Sequence, residues 1–513
     1  MESILLIVDY CIYFLPPPIS LNLNNFSESD NNRVPFLERK MTKDALSLKN
    51  EANSALKEGH IAKAVELYSE ALKLDPQNAI LYSNRSLANL KLEDFGLAIN
   101  DATKAIEIDP NFAKAYYRRA AAHIALFQPK EAVKDYKKAV SNAPNDAIAR
   151  SKLRECETLL KKIRFQEAIE VSDPPSALAN INISDMDVPL DYDGVKLDDQ
   201  MTEEFVLNML DRFQNGKKLP LKYAYTILRD IEEHYKQVPS VVDVQLKDDE
   251  TLVICGDTHG QFFDVLNIFK LYGYPSPTNK YLFNGDFVDR GSWSTEVAFT
   301  LYAFKLLYPD SVFMNRGNHE TDDMNKVYGF EGECKAKYNE RTFNIFSETF
   351  TALPLGTLIE NTYLVLHGGL FSNDNVTLDQ LRKIDRFSTK QPGQTGLMME
   401  MLWTDPQPEL GRGISKRGVG LQFGPDVSKK FCEANGLRAI IRSHEVRDQG
   451  YEIEHDGYCI TVFSAPNYCD TTGNKGAVIK VKKDMELDFH QFQAVPHPNI
   501  RPMAYANGLL SGM

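Results

Sequence analysis

The sequence predicts two architectures in tandem, an all-α helical solenoid followed by an α/β layered domain. Three observations carry this. At 513 residues the chain exceeds one ordinary domain of about 100–150 residues. Between residues 43 and 146, alanines and prolines recur with a 34-residue period. Between residues 240 and 470, short apolar runs alternate with helical stretches, and each run ends in a polar cluster. Hydrophobic residues make up 43% and charged residues 25%, close to globular averages, which excludes a wholly disordered or collagen-like chain. A net charge of −13 argues against general binding to nucleic acid or anionic membranes. The 7 cysteines are scattered, odd in number and never spaced C-x-x-C. That argues against a zinc ribbon or disulfide framework and for a reducing compartment.

Residues 1–42 read as a disordered extension. The apolar run from Ile4 to Leu15 is broken by Asp9 and stopped by Pro16, Pro17 and Pro18. It is shorter than the roughly 20 residues a membrane span needs. No Lys or Arg precedes Arg33, so the basic start of a secretory signal is missing. Translation from Met41 would remove the segment; a weak anchor or targeting role is the alternative.

Residues 43–171 are expected to hold three helical repeats and a capping helix. Pro76, Pro110 and Pro144 are 34 apart, as are Ala64, Ala98 and Ala132, and Ala71, Ala105 and Ala139. Small residues let paired helices approach, and each proline ends a pair. The pattern resembles the tetratricopeptide repeat, for which three units are about the minimum stable stack. A helix from about Ala147 to Val171 should close the stack. Lys49 with Asn53, and Lys114 with Arg118, are i, i+4 pairs, and Asn84 lies one repeat before Arg118. Such cations and amides in one groove would suit a terminal carboxylate; singly, each reads as a solvated helix residue. Together Lys49, Asn53, Asn84, Lys114 and Arg118 are similar to the carboxylate clamp of tetratricopeptide domains that bind heat-shock protein 90. The resemblance implies a partner with an acidic tail of the Glu-Glu-Val-Asp type.

Residues 172–200, rich in Asp and Pro with Lys196 as the single basic residue, read as a linker. The second domain, 201–496, opens with helices. Its buried strands then end in Asp257 and His259, in Asp286, Asp289 and Arg290, in Asn318 and His319, in His367, in His444 and in Tyr468. Ligands gather at the carboxyl ends of strands in α/β sheets. Carboxylate, imidazole and amide groups without thiolate suit manganese, iron or zinc. A shared carboxylate could bridge two such ions, which would polarise a phosphoryl oxygen and activate water. Arginines would clamp the phosphate.

GDTHG at 256–260, GDFVDRG at 285–291, RGNHE at 316–320, HGG at 367–369, RSHE at 442–445 and SAPNYC at 464–469 resemble the metal-dependent phosphoserine/phosphothreonine phosphatases. The likeness covers nearly all of 201–496. It implies a β-sandwich flanked by helices, and hydrolysis by direct attack of a metal-activated hydroxide with no phosphoenzyme. It implies two divalent ions, manganese being the expected pair in vitro. Asp257, His259 and Asp286 would hold the first; Asp286, Asn318, His367 and His444 the second. Arg290 and Arg417 would bind phosphate, with Tyr468 and Asn318 orienting it. His319, held by Asp289, would be the general acid. Arg412 is an alternative to Arg417, Arg316 could be structural or phosphate-adjacent, and Cys255 and Cys469 read as core cysteines.

Two positions depart from the family pattern: Asn315 where leucine is usual, and Gly420 where serine is common. Looser packing under the metal site is the expectation. The tail, 497–513, resembles the regulatory segment of family members that carry tetratricopeptide repeats. There the repeat domain covers the active site until chaperone tails or fatty acids release it. Glu93 is the matching residue for the blocking contact, with a solvated helix-end carboxylate as the alternative. The resemblance implies a monomeric enzyme of cytoplasm and nucleus acting on phosphoproteins. A phosphoesterase of another substrate class, or a catalytically dead scaffold, are the competing readings.

Overall fold

The computed structural model describes residues 33–169 and 175–506. These form two compact units that divide inside a helix, one ending at Leu81 and the other beginning at Tyr82. The expectations for residues 1–32, 170–174 and 507–513 lie outside the described residues.

The first unit holds α1 (Arg33–Lys57), α2 (Ile61–Leu74) and the start of α3 (Ala79–Lys91). Helix α1 begins ahead of residue 43, so the extension expected over 1–42 is helical from Arg33. Ala52, Ala64 and Ala71 are fully buried. Their missing bulk lets α1 and α2 pack closely. Tyr68 is buried with them, and its hydroxyl donates to Asn53 Oδ1 at 2.6 Å.

In the second unit α3 continues into α4 (Phe95–Ile108), α5 (Ala113–Ala125), α6 (Pro129–Asn142) and α7 (Ala147–Ile169). Ala98, Ala105, Ala132 and Ala139 are buried at the helix contacts. A polar repeat accompanies the alanines. Arg85 forks onto Asp101 at 2.8 and 2.7 Å, and Arg119 forks onto Asp135 at 2.8 and 2.8 Å. Each bidentate pair ties the first helix of one repeat to the second. Segment 175–200 has little regular structure apart from a turn at Ile183–Asp185. It is nonetheless held down: Ile183 is buried, and the Tyr192 ring meets Tyr223 edge-on at 5.6 Å.

Helices α8 (Glu203–Gln214), α9 (Leu221–Lys236), α10 (Phe262–Tyr272) and α11 (Ser294–Leu307) precede or interleave with the strands. In chain order these are β1 (Val241–Val244), β2 (Thr251–Cys255), β3 (Asn279–Asn284), β4 (Val312–Asn315), β5 (Gly356–Ile359), β6 (Tyr363–Leu366), β7 (Asp405–Pro406), β8 (Arg412–Ile414), β9 (Leu421–Phe423), β10 (Ala439–Arg442), β11 (Tyr451–Glu454), β12 (Cys459–Val462), β13 (Gly476–Val481) and β14 (Leu487–Phe492). One sheet runs β1-β5-β6-β10-β12-β11, a second β14-β13-β2-β3-β4, and a small third β7-β9-β8.

The two large sheets face each other. Leu252, Ile254, Leu282, Val365, Ile441 and Ile479 fill the layer between them. Alternate residues point outward, as a period of two requires. Val253, Cys255, Tyr281 and Phe283 meet α8–α11, while Leu364, Leu366 and Ile440 meet the other helical layer. This is a β-sandwich flanked by helices. No described helix is long and apolar enough to cross a membrane.

Candidate active site

The polar clusters follow the carboxyl ends of β2, β3, β4, β6, β10 and β12. A backbone bridge between Asp257 and Phe463 pinches the two sheets together there. The turns are tight enough to force left-handed backbone on residues that rarely adopt it. His259, Asp286, Asp289, Arg290 and His444 have φ of 40°, 48°, 67°, 65° and 73°. Strain of this kind persists where surrounding contacts over-determine it. Gly317 is required by closeness: a Cβ there would stand 2.2 Å from Asp286 Oδ1.

Asp286 is the hub. Its Oδ2 lies 3.7 Å from His259 Nε2 and 3.3 Å from His367 Nε2, so one oxygen stands between two imidazoles. Its Oδ1 accepts the His319 amide at 2.8 Å. Asp257 Oδ2 is 3.5 Å from His259 Nε2, and Asp257 Oδ1 accepts the His444 amide at 3.2 Å. Asn318 Oδ1 and His444 Nδ1 approach His367 Nε2 at 2.9 and 3.2 Å. Outer contacts fix the rings. His259 Nδ1 meets the Val288 carbonyl at 3.1 Å and His367 Nδ1 the Asn284 carbonyl at 2.9 Å. A neutral imidazole so held turns its Nε2 lone pair inward.

This donor set fits two cations. Donor atoms of Asp286, His367 and His444 lie within 4.8 Å of one another, as do those of His259, Asp286 and His319. Asp257 Oδ2 and His444 Nε2 are buried with no hydrogen-bond partner among the described residues. The electrostatics agree. Burial alone would raise the Asp286 carboxyl, but the fields of His367, His319 and His259 hold it well below its ordinary range. Burial alone would lower His367, yet Asp286 and Asp257 hold it up at about 9. Carboxylates buried together call for positive charge.

Around the cluster stand the groups that would handle phosphate and proton. His319 Nδ1 is held by Asp289 Oδ2 at 2.9 Å. Asp289 is itself fixed by Asn325 at 2.9 Å and by the Phe330 amide at 2.8 Å. Tyr468 packs its ring 5.1 Å from that of His259. Arg417 is oriented by Asp405, with Nε to Oδ2 at 2.7 Å, and by the His444 carbonyl at 2.6 Å. Arg412 turns away, to the Phe371 carbonyl and Asp374. Arg316 is fully buried, its Nε and Nη1 donating to the carbonyls of Glu320 and Lys390.

Arg290 lies over the Tyr328 ring at 3.9 Å, and its Nη2 donates to Glu93 Oε2 at 2.6 Å. Glu93 sits between α3 and α4 with φ of 65°. The amides of Gly96 and Leu97, at the start of α4, donate to the Lys416 carbonyl at 2.8 and 3.2 Å. The Tyr328 hydroxyl donates to the Ala125 carbonyl at 2.9 Å. Thus repeat helices of the second unit lie across the mouth of the site. The C-terminal segment joins from the other side, Met503 donating its amide to the Arg290 carbonyl at 2.7 Å. Of the five clamp residues, Lys49 and Asn53 belong to α1 of the first unit. Asn84, Lys114 and Arg118 belong to the second, where Arg118 Nη1 donates to Asn84 Oδ1 at 3.3 Å.

Residue types and spacing did not reveal two further members. Glu320 accepts the amides of Asp286, Phe287 and Gly317 at 2.8, 3.0 and 2.8 Å, setting the loop that carries the hub. It closes the RGNHE run, yet nothing there tells a ligand from a loop anchor. Asp405 holds both Arg417 and Arg442 and lies in no motif. One expectation is corrected. Packing beneath the site is not loosened by Asn315, which is fully buried. It donates to Asn284 Oδ1 at 2.8 Å and the Val365 carbonyl at 3.1 Å, and accepts from Thr357 at 2.8 Å.

Residues 250–448 match the calcineurin-like phosphoesterase family. Residues 52–93, 79–112 and 113–146 match tetratricopeptide repeat families, and 153–243 match the family described as the PPP5 TPR repeat region. Serine/threonine-protein phosphatase T of Schizosaccharomyces pombe is 80% identical over 92% of this chain and 100% of its own length. The chain belongs to the phosphatase 5/phosphatase T family. Human serine/threonine-protein phosphatase 5 is 51% identical over 91% of this chain and 94% of its own. A solved serine/threonine phosphatase structure from Saccharomyces cerevisiae, described as similar to human phosphatase 5, aligns with a TM-score of 0.58 and 50% identity. It covers 60% of this chain and 100% of its own. As a member of the phosphatase 5/T family the protein is a serine/threonine phosphatase, with tetratricopeptide repeats ahead of a two-metal phosphoesterase site.

Proposed function

We propose that the protein hydrolyses phosphoserine and phosphothreonine in proteins, and that its own repeat domain shuts the site through Glu93. The supporting observation is the Glu93 carboxylate on Arg290 at 2.6 Å. An arginine aimed into a metal cluster is a phosphate ligand in waiting, and here a carboxylate stands in its place.

Asp257, His259 and Asp286 would hold one cation, and Asp286, Asn318, His367 and His444 the other, with Asp286 shared. Manganese, iron and zinc all accept this donor set, manganese being the form expected in vitro. Bound ions supply Lewis-acid polarisation of the phosphoryl group and activation of water. The chain's own residues do the rest. Arg290 and Arg417 bind the phosphate oxygens, Arg417 kept in register by Asp405. Asn318 and Tyr468 orient the group. His319 keeps Nδ1 on Asp289 and so offers Nε2–H to the departing serine or threonine oxygen. That bond supports a proton-transfer role for His319, which also lies within ligand range of His259 and Asp286.

Lys49, Asn53, Asn84, Lys114 and Arg118 would recognise a Glu-Glu-Val-Asp tail of heat-shock protein 90, in a monomeric enzyme of cytoplasm and nucleus. Lys114→Ala is expected to abolish binding of such a peptide in calorimetry; unchanged affinity removes the clamp. The catalytic reading is tested with a phosphoserine peptide against a phosphodiester in the presence of manganese. Preference for the peptide supports it, and preference for the diester overturns it.

A further inference from the structure

At the open side of the sandwich, edge strands β1 and β4 flank a cleft of about 360 Å³, closed by the end of α9. None of the metal-site residues lines it. Its walls are largely apolar, with Val238, Pro239, Phe313, Met314 and Pro354, but its floor is not. Lys305 is 5% exposed. Its ammonium donates to the Pro309 carbonyl at 2.6 Å and lies 5.0 Å from the Phe313 ring. Among the described residues no carboxylate pairs with it: Asp310, whose field reaches it, is exposed, and Asp243 is engaged by Arg382. Carbonyl dipoles at the end of α11 offset part of the charge. Two more residues that line the cleft, Tyr235 and His234, have their Oη and Nε2 buried without hydrogen-bond partners among the described residues. Lys280 is 8% exposed and stands beside Asp310, its ammonium on that residue's carbonyl at 3.0 Å.

A buried cation without a counter-charge is costly, as is a buried hydroxyl without a partner. Elsewhere in this domain such groups are matched: Arg442 and Arg417 share Asp405, and Lys337 pairs with Glu296 and Glu333. We propose that this cleft is a binding site for a small organic carboxylate with an apolar body, its carboxylate on Lys305 and Tyr235 and its body between Val238 and Phe313. The volume lies in the range of small-molecule sites. The deeply buried Lys305 ammonium matches a monoanion, and Val238, Pro239 and Phe313 offer its body apolar contact, while Gln237, Gln245 and Thr357 also line the cleft. Burial lowers Lys305 to about 8, and an anion beside it would reverse that shift.

The test uses the full chain and 2-naphthoate, followed by calorimetry and ligand-observed NMR, with neutral 2-naphthamide as the isosteric control. Naphthoate is expected to bind, the amide about ten-fold more weakly or not at all, and Lys305→Met to lose about ten-fold in naphthoate affinity while keeping phosphatase activity. Tyr235→Phe, which removes only the hydroxyl, is expected to weaken binding several-fold. No naphthoate binding to the wild type, equal binding of the amide, or equal affinity in Lys305→Met overturns the proposal. Saturable displacement of naphthoate by an extended uncharged peptide would overturn it too, in favour of strand addition to β1 or β4.

Discussion

In the proposed mechanism His319 commits its two nitrogens to different tasks, and Asp289, on Nδ1, is what would separate them. Replacing Asp289 with asparagine keeps the volume but removes the charge that steadies the imidazolium. It also lets the side chain present an N–H where His319 needs an acceptor. Asp289→Asn is expected to lower kcat on a phosphoserine peptide about 100-fold with little change in KM, because the group acts on the leaving oxygen and not on binding. Steady-state kinetics check this; a change confined to KM would remove His319 from proton transfer. The ligand types were legible because six ordered motifs put carboxylates, imidazoles and an amide at strand ends. The anchors were not. Glu320 and Asp405 act through backbone amides and guanidinium groups contributed from distant loops, and sequence spacing carries no trace of a contact made across the fold. Asn315 follows the same rule. A polar residue in place of leucine reads as a defect until Asn284 and Thr357 are seen to satisfy it.

The elements were legible in proportion to their periodicity. The 34-residue ladder located the repeat helices, because an alanine at a helix contact is a constraint on spacing alone. The matching Arg85–Asp101 and Arg119–Asp135 forks carry the same period but join residues too far apart along the chain to read as pairs. The start of α4 is a device that only the fold reveals. Its first amides cap the Lys416 carbonyl, and Asp94, the residue before it, is brought into the field of Arg417. Burial, only partly offset by Arg417 and Lys416, pushes the Asp94 carboxyl up to about 6. The sign follows from linkage. The closed arrangement holds a proton that an exposed aspartate would release, so closure gains stability as pH falls through 6 and loses it as pH rises above. Relative to Asp94→Asn, the wild-type enzyme is expected to be progressively less active between about pH 7 and about pH 5.5. Parallel pH–rate profiles check this, and a constant ratio would contradict it.

At the scale of the whole molecule, the catalytic domain and the helices across its mouth compete for one arginine. Arg290 holds Glu93, and as the proposed phosphate ligand it could not hold both that carboxylate and a substrate phosphate. On the proposed function, whatever loosens the repeat helices would free the enzyme and whatever tightens them would silence it, with no change in the metal cluster. A charge-assisted hydrogen bond to a buried arginine contributes about 1.5–3 kcal/mol, enough to shift a closed–open equilibrium about ten-fold or more. The most direct test is the activity of full-length Glu93→Ala beside the wild type on a phosphoserine peptide with manganese present. The account predicts that the variant's kcat/KM rises about ten-fold and that a Glu-Glu-Val-Asp-ended peptide then adds little further activation. Activity equal to or below the wild type's would contradict it.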